Sequence, residues 1–324
     1  MDRSAFSRRR ALFALLATAL APAIVAAQSE RPIRFVLPNA VGSGVDIITR
    51  TVQPALSKAL GQPIVVDNQP GAGGVVGLQT LARAAPDGLT LSIVSNNVVI
   101  LPSVMKSLPF QMPGDFTPIA AIGYTPVALV VNPKVPAANA RELIAWLKER
   151  KGEANYGSSG NGTILHLAAE IFLDEAGVRA RHVPYRGVSP MLTDAVSGQV
   201  DFVLSALPAV QGHLKSGTLR PIGMATAQRV AAAPDIPTFV EQGLARYVVE
   251  AWFALIGPKG LAAAEVQRLH AALRQAFADP AVADAMAKQG NVIDIQPPEK
   301  TVEFFRNELA RYAAIVKKVG LEAQ

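Results

Sequence analysis

The sequence contains no cysteine, which excludes disulfide bonds, thiolate catalysis and cysteine-based metal sites. Its four histidines are scattered without metal-ligand spacing, so we expect no metal site. Aromatic residues are scarce at 6%, and no cluster of Lys and Arg interleaved with aromatics follows residue 27, so nothing predicts binding of nucleic acid. Hydrophobic residues make up 50% of the chain, enough for a core in one lobe or in two without disulfides.

A short uncharged run near the N terminus predicts export. It extends from Ala11 to Ala27, follows three arginines at positions 8 to 10, and ends in small residues, as in a signal peptide cleaved before Gln28. The adjacent Arg8 and Arg9 resemble a twin-arginine export signal, and an ordinary secretory signal is the alternative. Loss of residues 1 to 27 removes four Arg and one Asp, which lowers the formal charge from +6 to +3. We expect a protein of the periplasm.

After the N terminus, apolar runs of strand length alternate with helix-period segments, which predicts an α/β fold. Strands are predicted at 33–37, 64–66, 90–94, 127–131, 155–156, 182–185, 200–204, 248–256 and 292–295. Helices are predicted at 46–60, 75–83, 163–175 and 189–196, with one beginning at Asn139 and three after residue 258. If the chain crosses near Val127 and returns near Val249, residues 28–126 and 250–324 form one lobe and residues 127–249 the other. Two crossing strands then form a hinge.

Four glycine-rich loops each connect a predicted strand to a predicted helix. They lie at 38–44, 68–74, 157–162 and 185–189. Ligands of open α/β sheets bind outside the carboxyl ends of the strands, where helix N-termini offer N–H groups to an anion. Such loops also serve as plain turns, but four of them in one exported chain favour a binding site.

The sequence is compatible with two roles for each of several side chains near these loops. Arg186 either clamps a carboxylate or caps a helix and pairs with Asp194 or Asp201. His166, placed off the apolar stripe of its helix, either contacts the ligand or is a solvated or helix-bracing residue. Asp46 is more simply a favourable charge at a helix N-terminus than a catalytic acid.

Catalytic patterns are incomplete. The first loop resembles a dinucleotide fingerprint, but Ile47 stands where the third glycine is needed. The third loop lacks a nucleophile elbow, since Asn161 stands where that motif needs glycine. We therefore expect no catalytic residues, no cofactor and no enzymatic activity.

Seven short segments together resemble one known family along nearly the whole chain after the signal peptide. They are Val36-Leu37-Pro38 through Gly42 with Asp46 and Arg50; 67–74; 86–88; 156–162 with 166–170; 183–187; 198–201; and 234–238. This pattern is similar to the substrate-binding proteins of the tripartite tricarboxylate transporters, the TctC or Bug family. The sequence departs from the usual family loop at Asn39, Val41 and Val45, where an aromatic, proline and threonine are common.

The resemblance implies a two-lobed periplasmic binding protein of the type II-like, Venus-flytrap class, a small carboxylate ligand, and delivery to membrane permease subunits. We expect a monomer. A ligand-sensing input protein for a signalling system is an alternative, and an exported enzyme is a weaker one. The candidate ligand-binding residues are Asn39, Ala40, Gly42, Ser43, Gly44, Asp46, Gly73, Asn96, Asn97, Ser158, Ser159, Asn161, Thr163, His166, Tyr185, Arg186, Gly187 and Ser205.

Overall fold

The computed structural model describes residues 31–321 and residue 323. The expected signal peptide at 1–27 and the expected mature terminus at Gln28 lie outside the described residues. In the described part, no helix combines the length and the apolar character that a membrane span requires.

Strands and helices alternate along the chain. The strands are β1 (Ile33–Leu37), β2 (Ile64–Asn68), β3 (Thr90–Ser95), β4 (Phe116–Val131), β5 (Asn155–Ser158), β6 (Arg181–Pro184), β7 (Phe202–Ala206), β8 (Arg220–Met224), β9 (Glu250–Pro258) and β10 (Val292–Ile293). The helices are α1 (Gly44–Leu60), α2 (Val75–Ala82), α3 (Asn97–Val104), α4 (Ala140–Glu149), α5 (Ile164–Ala176), α6 (Val188–Ser197), α7 (Leu207–Ser216), α8 (Ala263–Phe277), α9 (Pro280–Lys288) and α10 (Pro298–Lys318). The α/β prediction is confirmed.

The strands form a continuous path in the order β2-β1-β3-β9-β4-β7-β5-β6, and β8 and β10 also pair with β4. The long strand β4 belongs to two sheets: Phe116 to Pro126 pair with β9, and Val127 to Val131 pair with β7. We call the part with β1, β2, β3 and β9 the first lobe, and the part with β5, β6, β7 and β8 the second lobe. The chain returns to the first lobe where β9 begins at Glu250. The fold is thus two-lobed, with a hinge of two crossing strands.

Two hydrophobic clusters stabilise this arrangement. One lies between the first-lobe sheet and α1, α8 and α9, and includes Ile48, Phe253 and Leu273. The other fills the second lobe around Tyr156 and Phe202 and extends over α3 and α10 of the first lobe. Full burial of one such side chain contributes about 1.5–3 kcal/mol.

Local sequence signals set several helix ends. The side chain of Ser43 caps α1 by accepting from the Asp46 N–H, and Thr163 caps α5 by accepting from the His166 N–H. Asn139 caps α4 as predicted, and its Glu142 reaches back to the N–H of Ala138, one residue earlier than in the standard capping box.

The structure contains elements that the sequence pattern did not predict. These are α3, α7, β8 and the first ten residues or so of β4. The segment of β4 before Val127 contains Pro118, Gly123 and Pro126, which indicate turns in a sequence. In the structure the register shifts at Pro118/Ala120 and Ala121/Gly123, and these irregularities let the strand continue.

Candidate ligand-binding site

A cavity of about 60 Å³ lies between the two lobes beside the crossing strands. Its lining comprises Asn39, Ser43, Gly44, Val45, Ile48, Ser95 and Asn97 from the first lobe, Ser159, Ile164, Leu165, Val188 and Ala206 from the second, and Thr125, Ala251, Trp252 and Phe253 from the crossing strands. Both lobes therefore contribute walls to this cavity.

Five helices begin at this cavity. Gly44, Asn97, Ile164 and Val188 are the first residues of α1, α3, α5 and α6, and Ala206 directly precedes α7. The N-terminus of a helix carries the equivalent of roughly half a positive charge and unpaired N–H groups. Their convergence from two lobes makes the cavity favourable for an anion.

Among the described residues, none that lines the cavity is Asp, Glu, Lys, Arg or His. Attraction for an anion at this site therefore comes from peptide dipoles and from hydroxyl and amide groups rather than from a side-chain charge. In addition, the described residues contain no group of three or more His, Asp or Glu that could hold a metal ion.

The loop before α1 is held in shape by a buried carboxylate. Asp46, 2% exposed, accepts a hydrogen bond from the N–H of Gly42 at 2.9 Å and others from Arg50 and Asn68 at 2.9 Å each. Gly42 has a φ of +79°, a conformation that glycine adopts without steric cost. The hydrogen bond from the Gly42 N–H to Asp46 fixes the shape of this loop. The Gly42 N–H is therefore already occupied by Asp46.

The loop before α5 is also internally bonded. The N–H of Gly160 donates to Ser158 Oγ at 3.1 Å, and the N–H of Gly162 donates to His166 Nδ1 at 3.0 Å. The first N–H of α5, from Ile164, donates to Asn97 Oδ1 of the first lobe at 2.8 Å. This last bond joins the two lobes at the cavity wall.

Below this loop lies a group that we call the histidine cluster: the buried Tyr156 and His166 and the half-buried Glu170 and His182. The two imidazole rings stack with centroids 3.8 Å apart, and the Tyr156 hydroxyl donates to Glu170. Burial lowers the pKa of His166 to about 3, with a further contribution from His182, and lowers the pKa of His182 to about 4. Burial raises the pKa of Glu170, against the effect of the Tyr156 hydrogen bond. Both histidines are therefore neutral at physiological pH.

His166 is 5% exposed, so its expected position on the solvent side of α5 is wrong. The physical reason is that α5 is covered on more than one side: Ile164, Leu165 and Leu167 are buried together with His166. The amphipathic pattern of the helix indicated a single buried face, which underestimated how much of this helix is enclosed.

The lobes contact each other around the cavity. Ser189 Oγ donates to the carbonyl of Val41 at 3.0 Å. Two glycines of the second lobe lie against the first lobe so closely that a Cβ at Gly162 would lie 2.3 Å from Val104 Cγ2, and a Cβ at Gly187 would lie 2.6 Å from the Cβ of Ala40. This is the closed arrangement of the two lobes.

The candidate residues divide by position. Those in the cavity lining are Asn39, Ser43, Gly44, Asn97 and Ser159. Those outside the lining are Ala40, Gly42, Asp46, Gly73, Asn96, Ser158, Asn161, Thr163, His166, Tyr185, Arg186, Gly187 and Ser205. Most of the second group flank the lining residues in the same loops.

Arg186 is exposed and makes no ion pair with any residue that the structure describes. Its expected alternative partners are engaged elsewhere, because Asp194 accepts from the Tyr185 hydroxyl at 2.7 Å and Asp201 accepts from the Asn155 N–H at 2.7 Å. The pairing of Arg186 with either acid is therefore wrong.

The crossing strands supply lining residues that the sequence did not indicate. Thr125 of β4 and Ala251, Trp252 and Phe253 of β9 lie in the cavity wall. The Trp252 Nε1–H donates to Glu308 of α10 at 2.6 Å, so the indole is fixed from outside the cavity. The sequence signal for these residues was an apolar strand next to the proposed hinge. That signal does not indicate which residues face the cleft, because this depends on the order of the strands in the sheet.

A second cavity, of about 190 Å³, lies on the outer side of the crossing between α5 and α10. Its basic residues are each paired with an acid: Arg246 with Glu175, Arg311 with Glu308, and Lys318 with Asp174. The first turns of the five helices open onto the smaller cavity instead, which we take as the binding site.

A two-lobed α/β fold with a hinge of two strands and a cleft between the lobes defines a solute-binding protein of the Venus-flytrap class. Residues 48–321 match the family described as tripartite tricarboxylate transporter family receptor, and the chain belongs to this family.

Relatives agree with this assignment. The chain is 33% identical over 311 residues to Protein BugT of Bordetella pertussis, covering 95% of both chains. Among solved structures, it is similar to Rpa4515 of R. palustris with adipate (TM-score 0.87, 27% identity, 91% and 99% coverage). It is also similar to MatC of Rhodopseudomonas palustris with bound malate (TM-score 0.80, 28% identity, 88% and 99% coverage).

Proposed function

We propose that this protein is a periplasmic receptor that binds a small carboxylate in the cavity between its lobes and releases it to membrane permease subunits. The convergence of five helix N-termini on a cavity without ionisable side chains supports an anionic ligand. The similar chains solved with adipate and with malate add support for a carboxylate.

Binding requires the lobes to open and close about the crossing strands. We propose that residues 28–126 and 250–324 form the first lobe and residues 127–249 the second, since β4 changes partner from β9 to β7 between Pro126 and Val127. A ligand that contacts both lobes favours the closed state by its differential affinity for it. The permease then distinguishes the closed receptor from the open one.

Isothermal titration tests the proposal with malate and succinate against the corresponding uncharged diamides. We expect an acid to bind and its diamide to bind at least about tenfold more weakly, because the helix ends favour negative charge. Equal affinity for acid and diamide, or no binding by any acid, would contradict the proposal. Recovery of the bound acid unchanged after prolonged incubation, checked by NMR, separates a receptor from an exported enzyme.

Transport and sensing share the same site chemistry. Reconstitution with the permease subunits distinguishes them, since transport of the acid should require this protein. We further propose that the receptor acts as a monomer and reaches the periplasm through cleavage of residues 1–27.

A further inference from the structure

Asn39 occupies a fixed position in the cavity wall. It lies in the loop between β1 and α1, and its backbone carbonyl accepts a hydrogen bond from Asn68 Nδ2 at 3.1 Å. The same Asn68 nitrogen donates to Asp46, and the Asn68 side-chain oxygen accepts from Arg50. The backbone of Asn39 is thus anchored by a network that lies outside the cavity.

The side-chain oxygen of Asn39 is buried and has no hydrogen-bond partner among the residues that the structure describes. Two other polar groups of the lining are engaged within the protein. Asn97 Oδ1 accepts from the Ile164 N–H, and the Thr125 hydroxyl donates to Asn291. The Asn39 carbonyl therefore differs from these groups in being an acceptor without a donor.

Three other buried side-chain atoms also lack partners in the described part of the chain, namely Asn96 Oδ1, Ser205 Oγ and His270 Nε2. None of these residues lines the cavity. Asn39 therefore both lines the cavity and carries an unpaired buried acceptor.

We infer that Asn39 is a specificity-determining residue that selects carboxylates carrying a hydrogen-bond donor, a hydroxyl or an amine, over carboxylates that have none. This inference rests on the proposed function. An ionised carboxylate and a methylene offer no hydrogen to the Asn39 carbonyl, so a plain dicarboxylate leaves it unpaired in the closed site. A hydroxyl or ammonium group of the ligand donates to it and removes that cost.

The size of the effect follows from the cost of an unpaired buried polar group. A penalty of about 1–3 kcal/mol corresponds to a preference of about 5- to 150-fold for the donor-bearing ligand. A site that contains a buried group for a ligand hydroxyl rejects the analogue that lacks it more strongly than an apolar wall does.

The test compares ligands that differ by one donor. Affinities of the full mature protein are measured by isothermal titration for succinate, malate and aspartate, and for adipate and 3-hydroxyadipate. The same panel is measured for Asn39→Leu, which keeps the approximate size but removes the acceptor. Asn307→Leu, on an exposed face of α10, is the matched control. Thermal unfolding of each variant establishes that it folds.

We expect the natural protein and Asn307→Leu to prefer the donor-bearing member of at least one pair by 5-fold or more, and Asn39→Leu to bring the ratio within that pair close to one. The ratio is the readout, because a merely structural defect would weaken both members alike. Equal affinities within every pair for the natural protein, or a preference that survives in Asn39→Leu, would overturn the inference alone. Failure of every acid to bind would instead overturn the proposed function.

Discussion

At the scale of single residues, the histidine cluster shows how the loop before α5 is held by neutral imidazoles. His166 accepts from the Gly162 N–H, and His182 shares a hydrogen bond of 2.6 Å with Ser158, so both ends of the loop before α5 are attached to imidazoles. The bond from the Gly162 N–H needs an unprotonated Nδ1 on His166, and the low pKa of His166 keeps it so. In the Ser158–His182 bond, donor and acceptor depend on the tautomer of His182.

The cluster predicts a loss of stability in acid. The pKa values of His166 and His182 fall from 6.5 in the unfolded chain to about 3 and about 4 in the fold, so the unfolded chain binds more protons between these limits. Folding stability is therefore fully present above about pH 6.5 and decreases as the pH falls towards 4. The raised pKa of Glu170 acts in the opposite direction and partly offsets this loss.

We expect the free energy of unfolding, measured with urea, to fall by up to about 4 kcal/mol between pH 7 and pH 5, about 2 kcal/mol for each histidine before the offset from Glu170. His166→Gln should be less stable at pH 7 and should lose less on acidification. His213→Gln, on α7 outside the cluster, is the control and should keep the full dependence. An unchanged pH dependence in His166→Gln would show that the titrating groups lie elsewhere.

At the scale of elements, the glycines in the loops have different roles that the sequence alone could not separate. Gly162 and Gly217 have the same φ of +69°, so a side chain strains the backbone equally at both positions. A Cβ added at Gly162 would overlap with Val104 of the first lobe. A Cβ added at Gly217 would have none of the described residues within 4 Å. Only the first substitution opposes closure of the lobes.

Gly162→Ala should therefore weaken ligand binding by about tenfold or more. The lobes would have to separate in the closed state to relieve the overlap between the new Cβ and Val104. Gly217→Ala, the matched control, should lower the melting temperature of the ligand-free protein by a similar amount and leave affinity unchanged. Titration calorimetry and thermal unfolding of both variants check this. Equal affinities would mean that the contact at Val104 does not limit closure.

Individual helices and strands differ in how far the sequence predicts them. Helix α5 and its cap at Thr163 follow from local signals, as does the helix-starting loop that holds Asn39. Helix α3 was missed because it is apolar all round and contains Pro102, so it has no helical period to detect. The wall formed by β9 depends on which strand lies beside which, and that is decided by packing between distant segments.

At the scale of the whole molecule, the closed arrangement limits ligand size. The cavity of about 60 Å³ is bounded by contacts that hold only if the lobes meet, including the Asn97 bond to α5 and the Ser189 bond to Val41. Both bonds join one lobe to the other. A longer ligand must separate these pairs or leave part of itself outside.

We therefore expect affinity to fall with chain length among acids that lack a donor. Succinate should bind more tightly than adipate by about tenfold or more, because a ligand that prevents the two inter-lobe hydrogen bonds loses about 0.5–1.5 kcal/mol for each. Small-angle scattering should give a smaller radius of gyration with saturating succinate than with saturating adipate. As a control, Ser189→Ala removes one of the two bonds and should narrow the difference in affinity between the acids. Tighter binding of adipate, with a radius of gyration equal to that with succinate, would mean that the cleft enlarges without loss of the inter-lobe contacts.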